Sequence, residues 1–381
     1  QQSSAASDVY KRQASNIGNY YISCKFAKSK ESEIYKAWAW GNYNYQSKSK
    51  KNLLYVKEQK ELDFLTFYSD CINFSRDLIN SPANKLNPST YYSKIKNNNL
   101  FKSFNFIDYT EKEINSNFPL TCAVGKSSSS KPKVIEITNR KLSKKDKPLV
   151  IIGKGVTFDT GGVNIKPGTS MRNMKKDMGG SAIAISLFLL ANYFLKKTKI
   201  VLIAPIAENA ISSKSMRPGD VYSSVSGKSV EIAHTDAEGR LLLADAIEKA
   251  SSYNPCMIID FATLTGAARV ALGEDLPAYF CNNETFAKKI DNLNKEKLRC
   301  WRLPLYSPYL AQIKSQVADL SNASLDGMAG SITAALFLQE FLKSPNIPWF
   351  HFDTFAWSQD SKGAALQGLD IMSDFLRKNF N

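Results

Sequence analysis

Two short segments of the chain concentrate charge among glycines. The first, GKGVTFDTGGVNIKPG with its continuation MRNMKKDMGG, places Lys154, Asp159, Lys166 and Asp177 within 24 residues. Two Gly-Gly pairs between them allow backbone to approach a site closely. The second, HTDAEGRLLLADA, brings Asp236 59 residues after Asp177 and sets Asp236, Glu238 and Arg240 at alternate positions. In an extended stretch, residues two apart face the same way, so these three side chains are expected to converge. Four carboxylates meeting in one place repel and raise each other's pKa unless cations neutralise them. Two divalent ions balance four negative charges. Oxygen ligands suit zinc, manganese or magnesium, and bridging carboxylates hold a pair of ions about 3.5–4 Å apart, an arrangement that activates water for hydrolysis. Lys154, desolvated beside dications, would serve as a neutral amine ligand. Lys166 and Arg240 would stay charged, the one for a developing oxyanion and the other for a small anion.

Taken singly, these residues have plainer explanations. Lys166 before Pro167 is an ordinary loop lysine, Asp177 a helix N-cap, and Asp236 and Glu238 first-turn acids ahead of LLLADAIEKA. Helix capping does not require two lysines and four acids around glycine-rich strand ends, so the set points to a site. The two histidines, His234 and His351, are too few and too far apart for a histidine-built zinc site, and no HExxH occurs. The six cysteines show no CxxC and no close pairing, which favours reduced thiols over zinc fingers or a disulfide framework. SGKS at 226–229 lacks the upstream glycine of a phosphate-binding loop, and the GDV before it opens a hairpin instead. No Ser or Cys sits in a nucleophile elbow.

The elements that must position these groups alternate. Short apolar runs at 149–152, 200–204, 257–261 and 349–352 read as buried strands, and helical periodicity is clearest at 179–196, 241–251 and 332–342. The fold class is therefore α/β, with a mixed, mainly parallel central sheet flanked by helices. Functional groups should gather beyond the carboxyl ends of its strands. RDLINSPANKLNP reads as a helix ending in an extended connector, which puts a domain boundary between 73 and 74. Residues 14–73 would be the remnant of a smaller leading α/β domain and 74–381 the catalytic domain. Residues 1–13 are set aside, because SSAASDVYKRQ resembles a translated sequencing adapter; the natural chain is expected to continue upstream. The Ser- and Lys-rich stretch 125–147, interrupted by VIEI, reads as a solvated edge strand and turn.

Composition narrows the partners. With 50 Lys and Arg against 35 acids the net charge is +15, yet only ten of the basic residues are Arg, a Lys-heavy bias that does not indicate nucleic acid. The longest apolar run, 183–195, is broken by Ser186 and Asn192 and falls short of the roughly 18 residues of a spanning helix. No membrane partner is expected, and the location expected is cytoplasmic.

The charged segments resemble the leucyl aminopeptidase family, the cytosol aminopeptidases. The family signatures GKGxTFDxGGxxxKP, DMGG and NTDAEGR stand here at 153–167, 177–180 and 234–240, and the likeness extends over roughly 74–381. The resemblance implies an aminopeptidase/phosphorylase-like catalytic domain that removes apolar amino-terminal residues, Leu above all, from peptides. It implies metal ligands at Lys154, Asp159, Asp177, Asp236 and Glu238 for two divalent ions per subunit, Zn2+ or Mn2+, and a catalytic pair at Lys166 and Arg240. Asp159 and Glu238 would bridge the ions, Asp177 would help bind the substrate amine, and Arg240 would hold a bicarbonate acting as general base. Met174 would wall the pocket for the first side chain, with Thr263, Leu264 and Gly266 beside the substrate backbone. A homohexamer of two trimers is implied as well. His234 departs from the family, which has Asn there, and is expected to hydrogen-bond behind the ligands. His351 is expected to be a buried, satisfied histidine, with Asp260 and Asp353 as acids behind the site. The competing hypothesis is a DNA-binding or regulatory protein on the same scaffold, suggested by the positive charge.

Overall fold

The computed structural model describes residues 19–21, 28–46, 53–324, 326–358 and 363–380. The adapter-like residues 1–13 lie outside them. Four buried runs rich in aliphatic or aromatic residues form the centre of the sheet: Trp349–Asp353, Met257–Ala262, Leu149–Gly153 and Ile200–Asn209 lie side by side in that order, all parallel. Ala278–Cys281 continues the sheet antiparallel beyond Trp349–Asp353 and pairs in turn with Trp301–Arg302. On the other side Lys133–Thr138 and Asn105–Phe106 add antiparallel strands. A short strand, Gly155–Asp159, pairs with the far end of Ile200–Asn209 and so leads the chain out of the sheet at the carboxyl end.

Both faces are covered, which is why these strands carry apolar residues at successive positions rather than alternate ones. Leu149 and Ile151 enter one core with Ile72, Tyr91 and Phe188, whereas Val150 and Ile152 enter the other with Leu241, Leu243 and Phe337. The helix Gly179–Phe194 is apolar all round because it lies between the sheet and the helices Gln59–Asn80 and Leu369–Asn379. By composition the segment Met174–Phe194 is long and apolar enough to cross a membrane, but 83% of its apolar window is buried inside the fold. Its Ser186 hydroxyl donates to Ser75 Oγ at 2.8 Å, so the polar atom that breaks the run is satisfied within the core. The opposite face carries Gly239–Ser251, Pro119–Gly125 and Gly330–Gln339.

Two local expectations change. The strand within 125–147, Lys133–Thr138, is not a solvated edge: it pairs on both sides, and residues 134–138 are buried. The polar flanks hid its register, since the lysines and serines occupy only the turns around it. The segment 236–240 is not extended either. Thr235 and Asp236 form a turn, Glu238 is already helical at φ −73° and ψ −34°, and Arg240 lies in the first turn of the helix Gly239–Ser251. The helix Gln59–Asn80 runs continuously through 73/74 and ends ahead of the connector at 81–87. Its buried Arg76 donates to the carbonyls of Trp40 at 2.9 Å and Ala364 at 3.1 Å and lies 3.9 Å from the Tyr43 ring centre. The leading segment 28–46 is thereby tied to the carboxyl-terminal hairpin.

The helix that carries Glu238 and Arg240 at its start is anchored by Asp245, whose Oδ2 accepts from Thr121 N at 2.7 Å and Thr121 Oγ1 at 2.8 Å. Burial dominates over these bonds and pushes the Asp245 carboxyl up to about 8. The folded chain therefore holds a proton there that the unfolded chain, with an ordinary Asp near ~3.9, has lost. Stability should fall as pH rises from about 4 towards 8, by an amount on the order of a few kcal/mol given about 1.4 kcal/mol per pKa unit. Asp245→Asn should flatten this slope and melt higher than the parent at pH 8. An unchanged slope in urea unfolding followed across that range rules the assignment out.

Candidate metal centre

The site forms where the parallel strands end. The strands Leu149–Gly153 and Gly155–Asp159 place Lys154 and Asp159; the single-turn 3-10 helix Met174–Met178 places Asp177; the turn at 235–236 and the start of the next helix place Asp236 and Glu238. One ligand oxygen each from Asp159, Asp177 and Glu238 lies within 4.8 Å of the others. All three residues are buried. Lys154 Nζ, equally buried, stands 2.8 Å from Asp177 Oδ2 and 3.1 Å from Glu238 Oε1, and donates to the Thr263 carbonyl at 2.8 Å. Lys166 Nζ stands 2.9 Å from Asp159 Oδ2 and 2.5 Å from Asp236 Oδ1. The two charged segments, far apart in sequence, thus meet through two lysines and four acids.

The backbone is shaped to permit this. Gly161 has φ +84°, and a Cβ there would press on the Asp236 carboxylate. At Gly239 a Cβ would strike the Lys154 side chain, so only glycine leaves room for the lysine between Asp177 and Glu238. Met178, not Asp177, occupies the N-cap of Gly179–Phe194, and Glu238, at the N-cap of Gly239–Ser251, makes no side-chain cap bond. Side-chain capping therefore accounts for neither acid.

Electrostatically the cluster is short of positive charge. Four carboxylates face two ammonium groups, and Asp177 Oδ2, Asp236 Oδ1 and both Glu238 oxygens are buried without a well-aligned hydrogen-bond donor. Burial, reinforced by Asp159, holds the Asp177 and Glu238 carboxyls above the usual carboxylate range. Asp236 is pushed up to about 7 by burial and by Asp159, against the pull of Lys166. Burial opposes the charge on Lys154 and Lys166 too, yet the surrounding acids raise both amines above the ordinary lysine value. Acid oxygens gathered out of water around two lysines, with Glu238 Oε2 lacking any donor among the described residues, form a hard anionic set that fits divalent cations. Lys154, Asp159, Asp177, Asp236 and Glu238 are the residues able to hold them.

Arg240 is buried nearby with Nε and Nη1 unpaired among the described residues, its guanidinium 5.9 Å from the Phe337 ring centre. Burial lowers its pKa to about 10, which leaves it a cation at neutral pH. Thr263 is buried in the cluster; Leu264 follows it half-buried, and Gly266 is exposed at the start of the helix Gly266–Leu272. Met174 is half-buried at the start of the 3-10 turn that ends beyond Asp177. His234 is exposed, and its Nδ1 accepts from the Asp236 backbone N–H at 3.2 Å, which pins the ligand turn. His351 is buried and pairs through Nδ1 with Asp260 Oδ1 at 2.5 Å, while Asp260 Oδ2 accepts from Trp349 Nε1 at 2.6 Å. The His351 Nε2 atom has no partner among the described residues.

Several positioning groups escaped the sequence. Asn209, at the end of a strand, donates to Asp159 Oδ1 at 2.8 Å and to the Thr235 carbonyl at 3.2 Å. Asn164 and Thr235 bind each other reciprocally, through Asn164 N to Thr235 Oγ1 at 2.8 Å and Thr235 N to Asn164 Oδ1 at 2.9 Å. These bonds stitch the two charged loops together. The only available signal was a polar residue closing an apolar run, as in IVLIAPIAEN.

Residues 73–372 match the family described as the cytosol aminopeptidase family, catalytic domain. The cytosol aminopeptidase of Encephalitozoon cuniculi is 41% identical over 288 residues, 74% of this chain and 58% of that protein. The chain spans 57–59% of the length of the curated relatives it matches. Among solved structures, the cytosol aminopeptidase from Coxiella burnetii superposes with a TM-score of 0.89 at 36% identity, covering 98% of this chain and 84% of that one. The bottromycin maturation enzyme BotP, solved in complex with Mn, gives a TM-score of 0.87 at 27% identity over 100% of this chain and 87% of that one.

The charge deficit leads to a direct expectation. Adding Mn2+ or Zn2+ should raise the melting temperature, with a stabilisation of about 2.7 kcal/mol at one hundred times the dissociation constant. Glu238→Gln should abolish most of that gain. Identical metal-dependent shifts in Glu238→Gln and the parent, measured by scanning calorimetry, contradict the assignment of this cluster.

Proposed function

Because the chain belongs to the cytosol aminopeptidase family through its catalytic domain, we propose that it is a metal-dependent aminopeptidase that hydrolyses the amino-terminal residue, Leu or another apolar one, from peptides. The observation that carries this reading is the buried set of Asp159, Asp177 and Glu238, with the half-buried Asp236 beside it, threaded by Lys154 and Lys166. Two divalent ions, Zn2+ or Mn2+, would balance the four carboxylates. Bound there, they would supply Lewis acidity to the scissile carbonyl and an acidified water as nucleophile.

The remaining chemistry belongs to the chain. Lys154 would give up its proton and its place between Asp177 and Glu238 as an ammonium to become an amine ligand. Lys166 would be freed from Asp159 and Asp236 once those acids have metal partners. Its ammonium then stands ready to donate to the oxyanion that develops on the scissile carbonyl, a contact that is strongest in the transition state. Arg240 Nε and Nη1, without partners among the described residues, leave donors free for a small anion. Bicarbonate held there would have the chemistry of a general base. Met174 would wall the pocket for the first side chain, and Thr263, Leu264 and Gly266 would border the substrate backbone. His234 would act on the site only by holding the Asp236 turn. Assembly as a homohexamer and a cytoplasmic location complete the reading, and both rest on the family and its name.

Loss of one oxyanion donor typically costs about 10²–10³ in kcat. Lys166→Ala should therefore lose at least that much activity on leucine p-nitroanilide while keeping its metal-induced rise in melting temperature. Asp236→Ala should lose the activity and weaken the metal response. Parent-like turnover in Lys166→Ala, or no turnover of any aminoacyl amide by the metal-loaded parent, sinks the proposal.

A further inference from the structure

Asp353 closes the strand Trp349–Asp353 and is buried with both oxygens fully engaged. Its Oδ1 accepts from the backbone N–H of Leu264 at 3.2 Å and of Thr265 at 3.1 Å. Its Oδ2 accepts from Thr265 Oγ1 at 2.5 Å and from Ser331 Oγ at 3.1 Å. A carboxylate offers about four acceptor positions, so Asp353 has none left for an ion. What it grips is the irregular loop that follows the strand Met257–Ala262, where backbone N–H groups have no strand partner. That loop begins with Thr263. The Thr263 hydroxyl lies 2.8 Å from Asp177 Oδ1, and its carbonyl accepts from Lys154 Nζ at 2.8 Å. Thr265 also caps the helix Gly266–Leu272 by accepting from Ala268 N at 3.1 Å, so the loop is fixed at both ends.

We propose that Asp353 is a positioning residue that sets metal affinity at a distance: its charge-assisted bonds to Leu264 and Thr265 hold Thr263 where it orients Asp177 and Lys154. The inference rests on the metal-centre reading above. Without the clamp, Thr263 would be free to turn away, and Asp177 would keep the Lys154 ammonium on Oδ2 but lose the hydroxyl that fixes Oδ1. Ser331 extends the clamp to the helix Gly330–Gln339, so the loop, the sheet end and that helix meet at one carboxylate.

The test is Mn2+ affinity of the full chain, measured by competition with a fluorescent chelator, in Asp353→Asn, Thr263→Val and the double variant. Each single variant should weaken binding by roughly tenfold or more. Because both act through one path, the double variant should be no weaker than the worse single one. The Asp353 charge is also felt by Arg240 and His351, so a charge-neutral variant is needed. Thr265→Val should lose affinity and Thr265→Ser should retain it. A cooperatively melting Asp353→Asn with parent affinity, or losses that multiply in the double variant, overturns the proposal. Should Asp353→Asn fail to fold, the Thr265 pair decides, and equal affinities in Val and Ser overturn it. A parent chain that binds no Mn2+ overturns the metal centre and this inference together, whereas parent binding with unaffected variants overturns this inference alone.

Discussion

The structure depends on holding like charges together out of water. Three acid oxygens within 4.8 Å of one another, with a fourth acid beside them, repel at short range. At an effective dielectric of about 20, one pair of unit charges at 4 Å is worth about 4 kcal/mol. Two lysines halve the formal charge of the cluster but do not cancel it. Such an arrangement would drift apart on flexible loops. It is held here by the rigid ends of parallel strands, by a buried helix and by the bonds of Asn209, Asn164 and Thr235, each spent on one loop geometry.

The fold follows from the same demand. A sheet covered on both faces gives strand ends that do not move, and the apolar, fully enclosed helix after Asp177 fixes that acid from the other side. Asp245 anchors the helix after Glu238 at the cost of a buried carboxyl that burial pushes towards neutrality. Arg76 couples the leading segment to the hairpin Trp357–Ser358 and Gly363–Ala364, and Lys175, two residues before Asp177, donates to the Asn80 carbonyl at 2.9 Å. The leading segment therefore packs against elements that border the site.

Much of this was legible in the residues. The strands at 149, 200, 257 and 349 stand close to where apolar runs placed them, because burial on both faces leaves a plain signal. The acids and lysines were legible because their types and spacing have few structural uses. Other features were hidden. Polar turns on either side mask Lys133–Thr138, and the alternation of charge at 236–240 reads as extended although a helix begins at Gly239. Asn209 and Thr235 each act through a single hydrogen-bonding group whose partner is distant in sequence, and one polar residue has no periodicity. That Asp353 grips the Thr263 loop was equally invisible, since the bond joins positions 88–89 residues apart.

The most direct measurement of the central claim is a crystal structure of the Mn2+-loaded chain with anomalous scattering recorded at the manganese edge. The account predicts two anomalous peaks among Asp159, Asp177, Asp236 and Glu238, with Lys166 released from its two acids. Peaks elsewhere, or both lysines still bridging the acids with no ion between them, would contradict it.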